Sequence, residues 1–340
     1  MLPSAERGPQ PGDVIEGRYV LRDRIGEGGM GSVFLANQPA LDRMVAIKVM
    51  HTELAVSPEH VLRFREEARI ASRVRSASCV SVIDTGALGD GTPYLVMEYI
   101  AGQSLGQLIA DDEIPLPRAR DLFAQVLRAL GAIHELGIVH ADIKSDNFLV
   151  ESRGGRDHVT LIDFGLARLT GAPHEPDLEN GEVMVSGTPE YMAPEVVAGQ
   201  PPSAASDLYA AGAILYELLT GTTPFGGGSA IDIMLRHARD PVVPPSLRAI
   251  DRRITPALDR LVLRALHKRP DGRFADAAAF ARELDAAVAH PTDELRPLRQ
   301  LRHPAAERRW ARPGRTALVF GRAITVRPGD GPRVPLRAAR

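Results

Sequence analysis

The chain has 340 residues, of which 44% are hydrophobic and 25% are charged, and its formal net charge is −2. This is an ordinary globular composition for about two domains, and the small net charge excludes a molecule that binds nucleic acids or membranes through overall charge. The single cysteine, Cys79, excludes an intrachain disulfide. There is neither a run of about 18 apolar residues nor the apolar core of a signal peptide, so we expect a cytoplasmic protein without a membrane span.

The N-terminal part of the chain predicts a short extension, then strands and one helix. Residues 1–17 are rich in Pro and Gly and are expected to be poorly ordered. Three segments rich in β-branched residues then predict strands: RYVLRDRI, GSVFLANQ and MVAIKVM. Residues 58–74 change to helical spacing, with Ser57 as the N-cap and Pro58 in the first turn. Two more predicted strands, CVSVIDTGAL and PYLVMEYI, lead to Ile100.

Helical patterns dominate the chain after Ile100. Residues 117–136 predict one long amphipathic helix that Gly137 ends. Further helices are predicted at 204–221, 229–239, 255–266 and 274–289. Strands first and helices afterwards favour an α+β fold, in which a small, mostly β lobe packs on a larger, mostly α lobe.

The C-terminal segment, residues 291–340, differs in composition from the rest. It contains twelve Arg against two Asp and two Glu, with frequent Pro. Such a segment is either a solvated, loosely ordered tail or a contact surface for an acidic partner or a nucleic acid, although no specific nucleic-acid motif accompanies it. Its stretch TALVFGRAITVRPG is compatible with a hairpin, and the sequence leaves these alternatives open.

The stretch IGEGGMGSV places four glycines at the turn between two predicted strands. A dinucleotide-binding turn would need a following helix and an acidic residue about 20 positions on. Here the strand SVFLA follows, and Lys48 stands near that position. A glycine-rich turn between antiparallel strands can instead lie over nucleotide phosphates, because the missing Cβ atoms let backbone N–H groups approach. Lys48, inside the apolar run VAIKVM, needs an anionic partner such as phosphate or Glu67.

The loop IVHADIKSDNFL, residues 138–149, is polar between two apolar flanks, which is typical of loops that do chemistry or bind a ligand. A second segment, VTLIDFG, predicts a buried strand that ends in the carboxylate of Asp163, where a negative charge is costly without a cation. Asp163 and Asn147 offer the hard oxygen ligands that Mg²⁺ prefers. The polar residues of the loop are His140, Asp142, Lys144, Ser145, Asp146 and Asn147.

Seven motifs occur in order: GEGGMGSVFLA, VAIK, FREEA, HADIKSDN, DFG, GTPEYMAPE and SDLYAAGAILYELLTG. With them, residues 18–289 closely resemble the eukaryotic-like serine/threonine protein kinases of bacteria, and their order and spacing are far more specific than any single motif. The resemblance implies a two-lobe kinase fold, with an antiparallel-sheet N-lobe and one helix over 18–100 and a mainly helical C-lobe over 101–289. Residues 1–17 and 290–340 would be a flexible extension and a basic tail.

The same resemblance implies ATP and Mg²⁺ as cofactors and a protein as substrate. Lys48 should hold the α- and β-phosphates and pair with Glu67, while Asp163 and Asn147 should bind magnesium. The hinge is the segment that contains Glu98 and Ile100, and the Met97 side chain should lie at the entrance to the pocket behind it. The implied nucleotide contacts are Ile25, Gly26, Glu27, Gly28, Gly29, Met30, Gly31, Val33, Ala46, Lys48, Met97, Glu98, Ile100 and Leu149.

For catalysis, the resemblance implies that Asp142 accepts or orients the proton of the substrate hydroxyl and that Lys144 neutralises the γ-phosphate. Lys144 two residues after Asp142, together with Thr188 in GTPEY, is the serine/threonine pattern. Thr188 is expected to hydrogen-bond near both residues, with an ordinary turn residue as the alternative. The segment GTPEYMAPE, which shapes a peptide platform in the family, disfavours a small-molecule phosphotransferase.

Three further expectations concern structural contacts. Glu195 should pair with Arg273. Asp207 should hydrogen-bond backbone amides of the catalytic loop, which is the polar loop of residues 138–149. His140 is expected to pack and hydrogen-bond within the core rather than to act as an acid or a base.

Ala141 departs from the family pattern, because most members carry an arginine there. In the family that arginine binds a phosphorylated residue of the activation segment, the stretch between Asp163 and Glu195. Such a charge-assisted bond contributes about 1.5–3 kcal/mol, and the alanine removes it. The favoured interpretation is a kinase that is active without phosphorylation of this segment. A kinase switched through other basic residues and a pseudokinase scaffold remain alternatives. Every residue that would touch ATP, metal or the substrate hydroxyl is present, which disfavours the scaffold.

The activation segment is acidic in HEPDLENGE, and these carboxylates are a hypothetical substitute for a phosphate, with a mobile acidic loop as the alternative. They would face arginines on the helix that carries Glu67. The acidic residues are Glu175, Asp177, Glu179 and Glu182, and the arginines are Arg63, Arg65 and Arg69.

Overall fold

The computed structural model describes residues 8–111, 113–171, 177–179, 182–249, 254–289 and 324–325 of the chain. Within them the protein has a mostly β N-lobe up to Ile100 and a mainly helical C-lobe after it. The two-lobe α+β architecture expected from the order of strands and helices is therefore confirmed.

An antiparallel sheet forms the N-lobe, and its strands are β1 (Val14–Ile15), β2 (Tyr19–Glu27), β3 (Gly31–Gln38), β4 (Arg43–Met50), β5 (Val82–Ala87) and β6 (Pro93–Glu98). Their order in the sheet is β1-β2-β3-β4-β6-β5. Because side chains alternate along a strand, β4 buries Ile47 and Val49 in the N-lobe core. Ala46 and Lys48, at the alternate positions, line the cleft between the lobes.

Two helices follow β4, a single turn α1 (Thr52–Ala55) and the longer α2 (Pro58–Ala71). The predicted helix over 58–74 is present but ends three residues earlier than expected. Ser57 occupies the N-cap position, yet its side chain makes no capping hydrogen bond. The buried face of α2 carries Phe64 together with Glu67, which is only 5% exposed. A carboxylate is therefore held inside the N-lobe, where it requires a cationic partner.

Short strands and helices alternate through the C-lobe. The described C-lobe strands are β7 (Gln103–Ser104), β8 (Ile138–Val139), β9 (Phe148–Arg153), β10 (Arg156–Leu161), β11 (Arg168–Leu169), β12 (Asp177–Glu179), β13 (Glu182–Val185) and β14 (Ile324–Thr325). The described helices are α3 (Leu105–Asp111), α4 (Leu116–His134), α5 (Pro194–Val197), α6 (Ala204–Thr220), α7 (Ala230–Arg239), α8 (Pro245–Arg248), α9 (Pro256–Ala265) and α10 (Ala277–Ala289).

Helix α6 is apolar around most of its circumference and is buried along most of its length. It begins with a capping box between Ser203 and Ser206 and ends at Gly221, which adopts a φ of 74°. At Gly212, an added Cβ would lie 2.7 Å from the Cβ of Ala265. Glycine is required there because α6 and α9 approach each other closely. The helix thus provides a rigid base for the loops that carry the polar motifs.

Other predicted boundaries shift for local reasons. The helix expected over 274–289 begins at Ala277, because the Asp276 carboxylate accepts a hydrogen bond from the Ala279 N–H at 2.6 Å and so acts as its cap. The hairpin suggested for TALVFGRAITVRPG lies outside the described residues except for Ile324–Thr325, whose backbone pairs with Met184–Val185. Among the helices that the structure describes, none has both the length and the apolar character to cross a bilayer.

Candidate active site

A cavity of about 480 Å³ lies between the two lobes, within the range of about 300–1,000 Å³ that is typical of small-molecule sites. Val33 and Ala46 reach it from the N-lobe, and Leu149 reaches it from the C-lobe. All the predicted nucleotide contacts except Glu27 line this cavity, namely Ile25, Gly26, Gly28, Gly29, Met30, Gly31, Val33, Ala46, Lys48, Met97, Glu98, Ile100 and Leu149.

Glu27 instead points to the outer side of the glycine loop. Its carboxylate accepts hydrogen bonds from the Ser32 hydroxyl at 3.0 Å and from Arg24 at 2.8 Å, and it lies 3.2 Å from the His51 ring. These contacts hold the Glu27 carboxylate outside the lining of the cavity. The loop therefore presents backbone to the cavity and keeps its negative charge outside.

The glycine loop itself is a tight turn between β2 and β3. The Gly28 N–H donates to the Gly31 carbonyl at 2.9 Å and closes the turn. A Cβ added at Gly31 would lie 2.1 Å from the Val49 carbonyl oxygen, so a side chain there would push β3 away from β4. Glycine at this position thus allows the loop to close over the cavity while the sheet stays paired.

Lys48 joins the two lobes electrostatically. Its Nζ donates to Glu67 Oε1 at 2.6 Å and lies 3.5 Å from Asp163 Oδ1. Burial alone would lower the pKa of Lys48, but the carboxylates of Asp163 and Glu67 outweigh it and raise that pKa. Burial likewise opposes ionisation of Asp163, but the charge of Lys48 holds the pKa of this carboxyl below its ordinary value. The cavity therefore contains a fixed cation beside a fixed carboxylate.

The catalytic loop brings Asp142, Lys144 and Thr188 together. Both the N–H and the hydroxyl of Thr188 donate to Asp142 Oδ1, at 3.0 and 2.8 Å. Lys144 Nζ donates to Asp142 Oδ2 at 2.9 Å and to the Thr188 hydroxyl oxygen at 3.2 Å. Thr188 is thus more than a turn residue, because it fixes one carboxylate oxygen while Lys144 fixes the other.

Asn147 and Asp163 form a pair of oxygen donors that fits a divalent cation. The Asn147 amide nitrogen donates to the Asp142 carbonyl at 2.8 Å, whereas its buried Oδ1 has no hydrogen-bond partner among the described residues. Leaving a buried acceptor unsatisfied costs about 1–3 kcal/mol. Both side chains line the same cavity. An orphaned amide oxygen and a carboxylate are hard ligands of the kind Mg²⁺ uses together with phosphates and water.

Asp207 on α6 binds the backbone of the catalytic loop. Its two oxygens accept hydrogen bonds from the His140 N–H at 2.9 Å and the Ala141 N–H at 3.0 Å, as predicted. Ala141 is held in the left-handed region, with a φ of 69°, which is unfavourable for a residue with a Cβ. The predicted core role of His140 is also present, since its ring is buried and bonds the Asp163 carbonyl.

The predicted pair between Glu195 and Arg273 is present and buried. The guanidinium donates to the two carboxylate oxygens at 2.7 and 2.6 Å. This bidentate geometry ties α5 to the segment before α10. The predicted contacts of the acidic activation segment, by contrast, fall on Glu175, Asp177, Glu179 and Glu182, whose side chains lie outside what the structure describes.

Several cavity residues were not predicted from the sequence. Tyr99 lies between the predicted Glu98 and Ile100, and treating that segment as continuous would have included it. Ile162 and Leu166 flank the DFG motif, and Val80 lies in the predicted strand CVSVIDTGAL, so none of these three positions carried a clear signal.

The fold and the cleft are those of a protein kinase, and comparisons of the chain with known proteins support this class. Residues 19–290 match the protein kinase domain family. The chain is 42% identical over 278 residues to the serine/threonine-protein kinase pkn3 of Myxococcus xanthus, covering 81% of this chain and 51% of that protein. It is 43% identical over 275 residues to PksC of Streptomyces coelicolor, covering 78% and 48%. The chain therefore belongs to the protein kinase family, in its branch of bacterial eukaryotic-like serine/threonine kinases.

Two further comparisons extend this picture. The serine/threonine-protein kinase PknB of Mycolicibacterium smegmatis is 38% identical over 274 residues, covering 79% of this chain and 43% of that protein. A crystal structure of the PknI kinase domain from Mycobacterium tuberculosis shares the fold, with a TM-score of 0.62 at 24% identity over 83% of this chain and 99% of that one. The chain spans about half the length of the curated relatives it matches.

Proposed function

We propose that the protein transfers the γ-phosphate of ATP, with Mg²⁺, to serine or threonine hydroxyls of protein substrates, without prior phosphorylation of its activation segment. The observation that carries this proposal is the complete polar set at one cleft. Asp142, Lys144 and Thr188 are mutually hydrogen-bonded, and Asn147 and Asp163 line the adjoining cavity. The serine/threonine specificity is supported by the names of the relatives.

The role of Asp142 follows from how its carboxylate is held. Oδ1 accepts two hydrogen bonds from Thr188, and Oδ2 accepts one from Lys144. The carboxylate therefore cannot rotate freely and is oriented to accept the proton of an incoming hydroxyl or to align it. Lys144, only 6% exposed, places a positive charge beside that hydroxyl, where negative charge develops during transfer.

The nucleotide would be held by the N-lobe and by the two oxygen donors. When bound, Mg-ATP supplies the phosphoryl group and metal charge that neutralises the phosphates. Lys48 would bind the α- and β-phosphates, and its contact with Glu67 keeps the ammonium directed into the cavity. Asn147 and Asp163 would ligate the metal. The glycine loop would cover the phosphates with backbone N–H groups.

Activity without activation-segment phosphorylation is supported by contacts that hold the catalytic loop although position 141 carries no arginine. Ala141 cannot bind a phosphate, but its backbone is held by Asp207, and the segment after it is held by Thr188 bonding to Asp142. The catalytic loop is thus positioned by Asp207 and Thr188 of the C-lobe rather than by a phosphorylated residue. The boundary at residue 289 and a contact role for the basic tail remain proposals that accompany this function, whereas the residues before 18 include β1, which pairs with β2 in the N-lobe sheet.

The test is magnesium-dependent phosphorylation of lysate proteins and peptides by the purified chain with labelled ATP. Asp142→Asn and Asp163→Ala serve as matched backgrounds, because each removes one charge from the cleft. We expect labelled Ser or Thr only with the wild type. If the wild type and both variants are equally silent while all three are folded, the catalytic proposal fails and the scaffold alternative replaces it.

A further inference from the structure

His237 is a fully buried histidine of α7 to which the proposed reaction assigns no role. Its exposed fraction is 0%. Burying a polar ring without partners is costly, and both ring nitrogens have one. Nδ1 lies 2.8 Å from the Tyr209 hydroxyl, and Nε2 lies 2.9 Å from the Glu190 carbonyl oxygen. The ring therefore bridges α6 and the segment that follows Thr188.

The protonation of this ring is fixed by its partners. A carbonyl oxygen only accepts, so Nε2 must carry the proton that it donates to Glu190, and Nδ1 then accepts from the Tyr209 hydroxyl. Burial, assisted by the nearby charge of Lys268, lowers the pKa of His237 to about 3. The imidazole is thus neutral near pH 7 and has one tautomer, with a directional bond to Glu190.

The surroundings hold the imidazole in one orientation. The Phe225 ring meets it edge-on with centroids 4.9 Å apart. Lys268 Nζ donates to the His237 carbonyl at 2.7 Å and fixes the end of α7. The Tyr209 ring is covered in turn by the Arg273 guanidinium at 4.7 Å. The hydrogen bond to Glu190 therefore starts from a rigid anchor.

The other end of that hydrogen bond lies in the short turn Pro189–Tyr191. Thr188, directly before the turn, donates to Asp142, and Glu190, two residues later, accepts from His237. Only Pro189 separates the two anchored residues. A change in the position of the Glu190 carbonyl must therefore alter the surface beside Asp142, where an acceptor hydroxyl would bind.

We propose that His237 is a positioning residue for the phosphoacceptor protein. Its Nε2–H bond to Glu190 holds the turn Pro189–Tyr191 in the form that presents a serine or threonine to Asp142. This inference rests on the kinase function proposed above. The effect should be specific to the acceptor, because His237, Tyr209 and Glu190 all lie outside the lining of the nucleotide cavity.

The test compares His237→Phe with His237→Gln in the full chain. Phenylalanine also carries an aromatic ring but can form neither hydrogen bond. The glutamine amide, by contrast, can still donate to the Glu190 carbonyl. The acceptor is the serine or threonine peptide that the wild type phosphorylates best in an arrayed library. The measurements are KM for this peptide, KM for ATP, ATP hydrolysis without acceptor, and thermal unfolding with and without ADP to establish that each variant is folded and binds nucleotide.

For His237→Phe we expect the acceptor KM to rise about tenfold, in line with the cost of an orphaned buried carbonyl, while KM for ATP and acceptor-free hydrolysis stay within about twofold. His237→Gln should recover most of the acceptor affinity. An unchanged acceptor KM in His237→Phe, a parallel rise of both KM values, or a glutamine variant no better than phenylalanine would overturn the inference. A wild type without any phosphotransfer would instead overturn the proposed function itself.

Discussion

Arg273→Met probes the buried ion pair that ties α5 to the segment before α10. The side chain of Arg273 is 0% exposed and donates to both oxygens of Glu195 as well as to the carbonyls of Ala205, His267 and Lys268. Methionine leaves a buried carboxylate and three carbonyls without this donor. Removing one partner of a buried pair costs about 3–5 kcal/mol. At about 2–4 °C per kcal/mol for a domain of this size, we expect Tm to fall by about 6–20 °C.

The assay is thermal unfolding of the purified chain, followed by calorimetry or circular dichroism. Arg269→Met is the matched control, because Arg269 lies four residues away and pairs with Asp271 at the surface, where such pairs contribute little. We expect its Tm to equal that of the wild type. If Arg273→Met melts within about 2 °C of Arg269→Met, the inference that the buried pair holds α5 in place is wrong.

Three further changes test other parts of the structure. Burial raises the pKa of Glu217 from 4.5 to about 7. Because the folded protein then binds this proton more tightly than the unfolded chain does, the free energy of unfolding should fall as pH rises through that range. Urea unfolding between pH 5 and 8 should show this fall for the wild type and not for Glu217→Gln. Lys48→Met leaves two buried carboxylates without their cation, and ATP affinity should fall about tenfold or more in a nucleotide titration. Gly31→Ala places a Cβ against the Val49 carbonyl and should weaken nucleotide binding, whereas Gly89→Ala, with open space around it, should not.

The N-lobe and the cleft were predictable because their signals are local. The apolar run MVAIKVM predicted a strand that carries Lys48, and the structure places Lys48 on β4. The glycine turn and the loop with Asp142 carry dense, ordered motifs. The pair Glu195–Arg273 joins residues far apart in sequence, and it was expected only because the chain resembles a family.

Other features depend on tertiary contacts that no local pattern encodes. The left-handed backbone of Ala141 is stabilised by Asp207, 66 residues away, and nothing in the sequence HAD indicates a positive φ. His237 lies in an ordinary amphipathic helix, and its partners are 28 and 47 residues distant. Glu27 was expected beside its glycine neighbours at the cavity, but its carboxylate accepts hydrogen bonds from Ser32 and Arg24 and lies outside the cavity lining.

The measurement that tests the central claim most directly is phosphate transfer by the wild type before and after exhaustive phosphatase treatment, with Asp142→Asn as background. The loop around Ala141 is held by Asp207 and Thr188 rather than by a phosphorylated residue. We therefore predict equal turnover by the treated and untreated enzyme, and none above background by Asp142→Asn. A large loss of turnover after phosphatase treatment, restored by re-phosphorylation, would contradict the account.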